Sequence, residues 1–465
     1  MTTPLERELM SEAWVALTDK ASAELEPLRL TGDTGALSSR LATEATATAC
    51  IAVALAAAGA LQELRTGSAT TLDLDRGHVA AAVRSERYYR TGTRSTGMGF
   101  APLSRFWRAT DGWVRTHANY PWHRDALLRT LGLRDDSDHE VVGAAISERT
   151  ARDIEESVFA AGGIAAAVRS VDAWRAHAQG SAVNLEPLVS LRSEPDGAPR
   201  SPTDSGGPMS GLRVLDFTRV IAGPVCTRYL GALGAEVMRL DPPHRPDMTA
   251  GAAADTLLGK RSAIVDMSTP AGNRALHDLL EHADVVVCGY RPGALDRFDL
   301  SDDVLIERYP GLVIVDLSAW GHTGPWAARR GFDSVVQAPT GIAASESADG
   351  QTPGTLPCQL LDHGTGYLAA AAVLDGVRRQ MLTGGTHVRR LSLARTAAWL
   401  TARPPAEPPR PDSVDADPRP WLQVLDMADE RIVAVRPPGR VADRELRWPE
   451  LVTLYGADAP EWDKA

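Results

Sequence analysis

Three lysines, Lys20, Lys260 and Lys464, stand against forty-six arginines in a chain of 465 residues. With so much alanine present, this imbalance points to a GC-rich coding bias. Arginine abundance by itself therefore says little, and a lysine inside a motif says slightly more. Cysteine is scarce as well. Cys50, Cys226, Cys288 and Cys358 lie far apart, with no C-x-x-C and no Cys/His ligand spacing. That argues against a secreted disulfide scaffold and a structural zinc site, and no metal is expected. Long hydrophobic runs are missing too. The most apolar stretch, Ala45 to Leu61, covers seventeen residues and is mostly alanine, which suits a buried helix better than a membrane span. The opening segment MTTPLERELMSEAW is amphipathic and acidic, unlike a secretory signal, so a cytoplasmic protein is expected. With 60 acidic and 49 basic side chains the formal charge is −11, without the basic excess that a general nucleic-acid binder needs. A small anionic ligand in a local basic pocket remains compatible.

Several catalytic motifs are also absent. There is no P-loop, no G-x-S-x-G elbow and no H-E-x-x-H, which removes the easy kinase, esterase and metalloprotease readings. What is present is a globular composition, 44% hydrophobic and 23% charged, long enough for two to four domains at about 150 residues each. A linker rich in Pro, Gly, Ser and Asp, residues 194–208, separates residues 1–193 from 209–402. A second Pro-rich stretch, Arg403 to Pro420, opens a short C-terminal tail within 403–465.

After the first linker, strand and helix alternate. Strands are expected at Leu212–Phe217, Glu236–Leu240, Ser262–Met267, Asp284–Cys288 and Leu312–Leu317, with helices between them. That order implies an α/β fold, a Rossmann-like parallel sheet covered on both faces, joined to a smaller α/β domain. The turn after the first strand, F-T-R-V-I-A-G-P-V-C-T, has the single glycine Gly223 where a dinucleotide fingerprint needs three, so an NAD-dependent dehydrogenase is disfavoured. Arg219, Arg239, His244, Arg245, Lys260, Arg261, Arg291 and Arg297 gather at the expected ligand-facing ends of the strands, where the loops of an open α/β sheet converge on the binding crevice. They form either a phosphate-gripping cluster or a set of solvated loop charges, and the sequence leaves both open.

An internal repeat is the most informative pattern. The helix, T-G, strand, Arg order of Ala45–Val83 returns in Asp362–Ala398, with Thr66-Gly67 matching Thr383-Gly384 and Arg76 matching Arg395. Asp362 precedes the second long helix. It suits a helix N-cap, and equally a carboxylate nucleophile kept ionised at the positive helix end. The loop Ser318–Trp326 fits a pocket wall or a surface turn, and His117 and His123 fit packing roles.

Six ordered segments resemble the class III CoA-transferase family of the CaiB/BaiF type. They are Gly211–Pro224, Leu233–Arg239, Gly259–Asp266, Ala283–Arg297, Trp320–Pro325 and Arg330–Gln337. The resemblance implies an enzyme that moves CoA between carboxylic acids, with Asp362 as nucleophile. Its carboxylate attacks an acyl-CoA thioester to give an acyl-aspartyl anhydride and CoA thiolate. An acceptor acid then displaces the acyl group, and CoA returns to form the new thioester. The resemblance also implies that Arg239, Lys260, Arg261 and Arg297 contact the nucleotide of CoA, near Arg219. Val220, Ile221 and Ala222 line the thioester region through backbone, and Tyr290 lies against pantetheine or adenine. No cofactor is implied beyond the CoA thioester as substrate. The implied partners are an acyl-CoA, a carboxylic acid and a second copy of the chain in an interlocked or swapped homodimer, with no nucleic acid and no membrane.

This chain departs from the family pattern at four places. The racemases of the family carry a histidine where Phe332 stands, so a racemase or isomerase is disfavoured. Ile221 replaces a glutamine used by some transferases. The halves are permuted: residues 1–193 resemble a back half, with Ala45 at the nucleophile position and Gly97 and Gly99 where the family has a glycine loop. These departures keep a catalytically degenerate acyl-CoA-binding or interaction subunit of the same family as the first rival.

Overall fold

A computed structural model describes residues 2–20, 25, 27–92, 94–95, 99–201, 206–247, 255–405, 417–427, 430–449 and 452–463. The largest sheet has seven strands. Their spatial order is Arg261–Ile264, Glu236–Asp241, Arg213–Phe217, Val285–Cys288, Val313–Ser318, Thr386–Ser392 and Ser190–Glu194. The first six are parallel, as their near-continuous apolar runs imply, and the last is antiparallel. In chain order the parallel strands run third, second, first, fourth, fifth, sixth, which is the doubly wound arrangement expected from the alternation. The order reverses between Arg213–Phe217 and Val285–Cys288, so the loops after these two strands bound the ligand crevice. Ser190–Glu194 was not anticipated, because SLRSE alternates no apolar face. It forms by pairing with Thr386–Ser392 at an otherwise open edge.

A smaller α/β unit surrounds the antiparallel sheet Phe106–Arg108, Trp113–Thr116 and Ala165–Ala167. Its separate core includes Trp107, Val114, Leu127, Val142 and Ile154. The two copies of the repeat are clear in three dimensions. Thr43–Thr66 and Leu360–Thr383 are both 24-residue helices ending at Gly67 and Gly384. Each leads to a strand and then to a short helix capped by a side chain, Asp75 in one copy and Ser392 in the other. The matching arginines both serve packing. Arg76 makes a buried two-point ion pair with Glu6, and Arg395 donates to the Glu186 carbonyl.

The long helices lie against each other in the core. Thr43–Thr66 is long and apolar enough to cross a membrane by composition, yet 83% of its most apolar window is buried within the fold. The linker and tail are built into the same body. Asp196 accepts from the Thr386 N–H, and Arg200 pairs with Asp284. Leu422–Met427 and Glu430–Val435 form a hairpin that extends onto Arg90–Thr91.

Close helix crossing is what positions the first turn of Leu360–Thr383. A Cβ on Gly366 would stand 2.4 Å from the Ala222 carbonyl oxygen and 2.9 Å from Val225 Cβ. Gly366→Ala should therefore destabilise the chain by about 1–3 kcal/mol despite the better helix propensity of alanine. The expected result is a lower urea midpoint at unchanged slope; an unchanged or higher midpoint contradicts the close crossing.

Candidate active site

Asp362 lies in the first turn of the Leu360–Thr383 helix, with Gln359 in the cap position. The carboxylate is therefore not the helix cap. It lines a cavity of about 190 Å³ built by both parts of the chain. Glu86, Arg87, Phe100, His117 and Asn119 come from the first part. Val220, Ile221, Phe332, Asp333 and Ser334 face them from the second. One chain supplies both walls. A larger cavity, about 300 Å³, lies beside Tyr290, Arg291 and Arg390 and does not include Asp362.

Three carboxyl groups meet here. The Asp362 N–H donates to Asp333 Oδ2 at 3.0 Å, and the next residue, His363, places Nε2 3.0 Å from Glu86 Oε2. Burial pushes the Asp362 carboxyl well above the usual carboxylate range, and the charges of Asp333 and Glu86 add to the rise. Burial also raises Asp333, to about 6, against hydrogen bonds from Gln337 and the Asp362 backbone. Burial pushes Glu86 up as well, but the His363 imidazole prevails and holds it below its ordinary value. The expected preference for ionised Asp362 is overturned. A helix N-terminus gives an anion about 0.3–2 kcal/mol, and desolvation beside two acids outweighs it. Arg87, the cation of the lining, turns its guanidinium to the Pro357 carbonyl at 2.6 Å.

Opposite Asp362, the turn after Arg213–Phe217 is strained. Val220 has φ +68°, a left-handed conformation that costs a β-branched residue about 1–3 kcal/mol. The Asp247 carboxylate stabilises it by accepting the Val220 N–H at 3.2 Å. Asp247 in turn is held by Arg239 and by the Tyr120 hydroxyl, both at 2.6 Å. Ile221 follows as the N-cap of the Ala222–Ala232 helix, whose first N–H groups receive no side-chain cap.

The structure gathers only some of the residues singled out in the sequence. Val220 and Ile221 line the cavity with Asp362, whereas Arg219 and Ala222, on either side of them in sequence, are not in its lining, and Arg219 rests over Tyr120. Tyr290 lines the neighbouring larger cavity. Arg239 is fully buried against Asp241 and Asp247, so it acts on the Val220 turn through an acid. Lys260 is buried 2.8 Å from Asp216, which also accepts from Thr218 and Thr227. Burial lowers the Lys260 pKa to about 8, against the pull of Asp216. Arg261 pairs with Glu236 and Asp463 at the amino end of the sheet, away from the crevice. Arg297 is exposed over Phe298. Gly99 is exposed beside Phe100, and Gly97 lies outside the described residues. The Ser318–Trp326 loop is a seam, fastened by Gln179 and Glu186.

Glu86, His117 and Asp333 were missed as site residues. Asp333 was visible in the Arg330–Gln337 segment. Glu86 and His117 lie far from Asp362 in sequence and carry no local motif. His117, expected to be a packing histidine, does stack on Phe332 with ring centroids 4.0 Å apart, yet it also lines the cavity.

The raised Asp362 carboxyl has a thermodynamic consequence. Stability from burying it neutral is fully present below its unfolded value and is lost as pH rises toward its higher folded value. Asp362→Asn cannot ionise and keeps that stability. The melting temperature of Asp362→Asn minus that of the parent should grow steadily from pH 4 to pH 8; a pH-independent difference contradicts the assignment.

Comparison with known proteins places this site in context. Residues 209–429 match the model of CoA-transferase family III. An acyl-CoA transferase of Gibberella moniliformis is 30% identical over 285 residues, covering 58% of this chain and 49% of that protein. A probable fatty acyl-CoA transferase of Mycobacterium tuberculosis is 32% identical over 208 residues, covering 42% and 52%. The crystal structure of a hypothetical protein from M. tuberculosis, at 32% identity, covers 43% of this chain and 58% of that one with a TM-score of 0.40. The chain spans about half the length of the curated relatives it matches. Over residues 209–429, the chain is similar to CoA-transferase family III.

Proposed function

We propose that the chain is an acyl-CoA:carboxylate CoA-transferase working through an aspartyl-acyl anhydride at Asp362. The observation that carries this reading is the Asp362 carboxyl in a small cavity beside the uncapped start of the Ala222–Ala232 helix. In the first step an Asp362 oxygen bonds to the thioester carbonyl carbon. The C–S bond breaks, and CoA leaves as thiolate. Asp362 attacks only as carboxylate, so any proton it carries passes first to solvent, a loss that burial, Asp333 and Glu86 make more costly. The same burial keeps water from the anhydride. The substrates are an acyl-CoA and a carboxylic acid, with the CoA thioester as substrate rather than a resident cofactor. The nucleotide end of CoA is assigned to the crevice between Arg219 and Tyr290. A homodimer and a cytoplasmic setting belong to the same proposal, although closure of the cavity by one chain means that no partner is needed to complete it.

One observation favours a second reading, a CoA-binding relative without turnover: Arg239, Lys260 and Arg261 are all engaged by acids of this chain. Trapping separates the two. The chain is incubated with a panel of acyl-CoAs, treated with hydroxylamine or borohydride, and mapped by mass spectrometry. Transfer predicts modification at Asp362 and none in Asp362→Asn. CoA binding without an adduct favours the silent binder, and α-deuterium exchange without transfer favours a racemase.

The carboxyl cluster gives a second test. Asp333→Asn keeps an oxygen for the Asp362 N–H but removes a negative neighbour that raises the nucleophile. The rising limb of Asp362 labelling against pH should move to lower pH. An unmoved limb, or one moved to higher pH, contradicts the coupling.

A further inference from the structure

The Trp113–Thr116 strand alternates its side chains. Val114 enters the core of the smaller unit, and Thr116 accepts from Trp107 on the same side. Trp113, Arg115 and, one step past the strand, His117 take the other face. His117 and Phe100 line the Asp362 cavity, and Arg115 is placed next to both. Its guanidinium carbon is 4.8 Å from the Phe100 ring centroid. It is 5.0 Å from that of Phe106, the residue directly across the ladder.

Arg115 is only 6% exposed, and its Nε makes no hydrogen bond. Among the described residues no carboxylate pairs with it. Burial first, and the cation Arg105 second, push its pKa down to about 10, with no acid opposing them. Arg76, Arg228, Arg239 and Arg389 are buried to a similar degree, and each holds a carboxylate. A buried cation without an anion is costly, and the arrangement is completed by an anion brought from outside.

We propose that Arg115 anchors a carboxylate at the far end of the acyl or acceptor acid, so that the Asp362 site takes dicarboxylic substrates. The reacting end of such an acid lies at Asp362, and the other meets the guanidinium between Phe100 and Phe106. The two rings restrict the fork, which favours a directed, charge-assisted pair. This inference rests on Asp362 as the transfer site, and its test does not require turnover.

Binding of succinate, glutarate and adipate, with butyrate as the monocarboxylate control, is measured on the full chain by calorimetry. Arg115→Met should weaken the preferred dicarboxylate by about 10- to 100-fold, the loss of a hydrogen-bonded charge pair, and leave butyrate unchanged. Arg115→Lys should restore part of that loss. Asp362→Asn should still bind the dicarboxylate, so a failed transferase reading leaves this result standing. Met fits the apolar sandwich, and circular dichroism checks that the variant folds. The proposal is overturned if Arg115→Met leaves dicarboxylate binding intact or weakens both acid classes equally. It is also overturned if 3′,5′-adenosine bisphosphate displaces the dicarboxylate and itself depends on Arg115, since the anion is then a phosphate of CoA.

Discussion

Two 24-residue helices made largely of alanine and other small residues lie side by side, and the rest of the molecule is arranged around that contact. Small side chains let the backbones approach closely, and a Cβ on Gly364 would stand 3.3 Å from Cys50 Sγ of the other helix. The contact joins the first part of the chain to the second. It brings Glu86, four residues past the Arg76–Ala82 helix, to His363, the residue beside Asp362. Ser85 adds a buried network with Arg228 and Asp255, fixing the same wall from the other side. Two distant parts of one chain thereby line the same cavity.

The electrostatics of that cavity differ from a simple picture of cations waiting for a polyanion. Lys260 neutralises Asp216 beneath the Ala222–Ala232 helix, and Arg239 neutralises Asp247 behind the strained Val220 turn. Their effect at the crevice is to hold backbone in place. The Asp362 carboxyl is left in acidic, desolvated surroundings, which raise its pKa. Such a group is a poor ground-state anion and, once ionised, a poorly solvated and reactive one. Arg115 is the converse case, a cation left without an acid at the far side of the same wall.

Much of the doubly wound sheet was legible in the sequence because its strands are continuous apolar runs and its helices have clear starts. The Val285–Cys288 strand falls within one residue of the expected Asp284–Cys288. The Ser262–Met267 expectation ran three residues too far, since pairing with Glu236–Asp241 stops at Ile264. Ser190–Glu194 was illegible because its partner Thr386–Ser392 lies far along the chain, and the extension of the tail hairpin onto Arg90–Thr91 was illegible for the same reason. Asp362 could be singled out from the repeat and the family resemblance. Its protonation could not, because the deciding groups, Asp333 and Glu86, act through space. Arg261 shows the same limit, since a basic residue beside a strand does not declare which end of the sheet it serves.

The central claim is that one chain encloses an acyl group between Asp362 and the wall bearing Phe100 and His117. A crystal structure of the chain with a thioether analogue of an acyl-CoA tests it most directly. The account predicts the carbonyl-equivalent carbon within about 3.5 Å of an Asp362 carboxylate oxygen, beside the Val220–Ile221 turn and walled by Phe100 and His117 of the same chain. An analogue bound away from Asp362, or walled by those residues from a neighbouring chain, would contradict it.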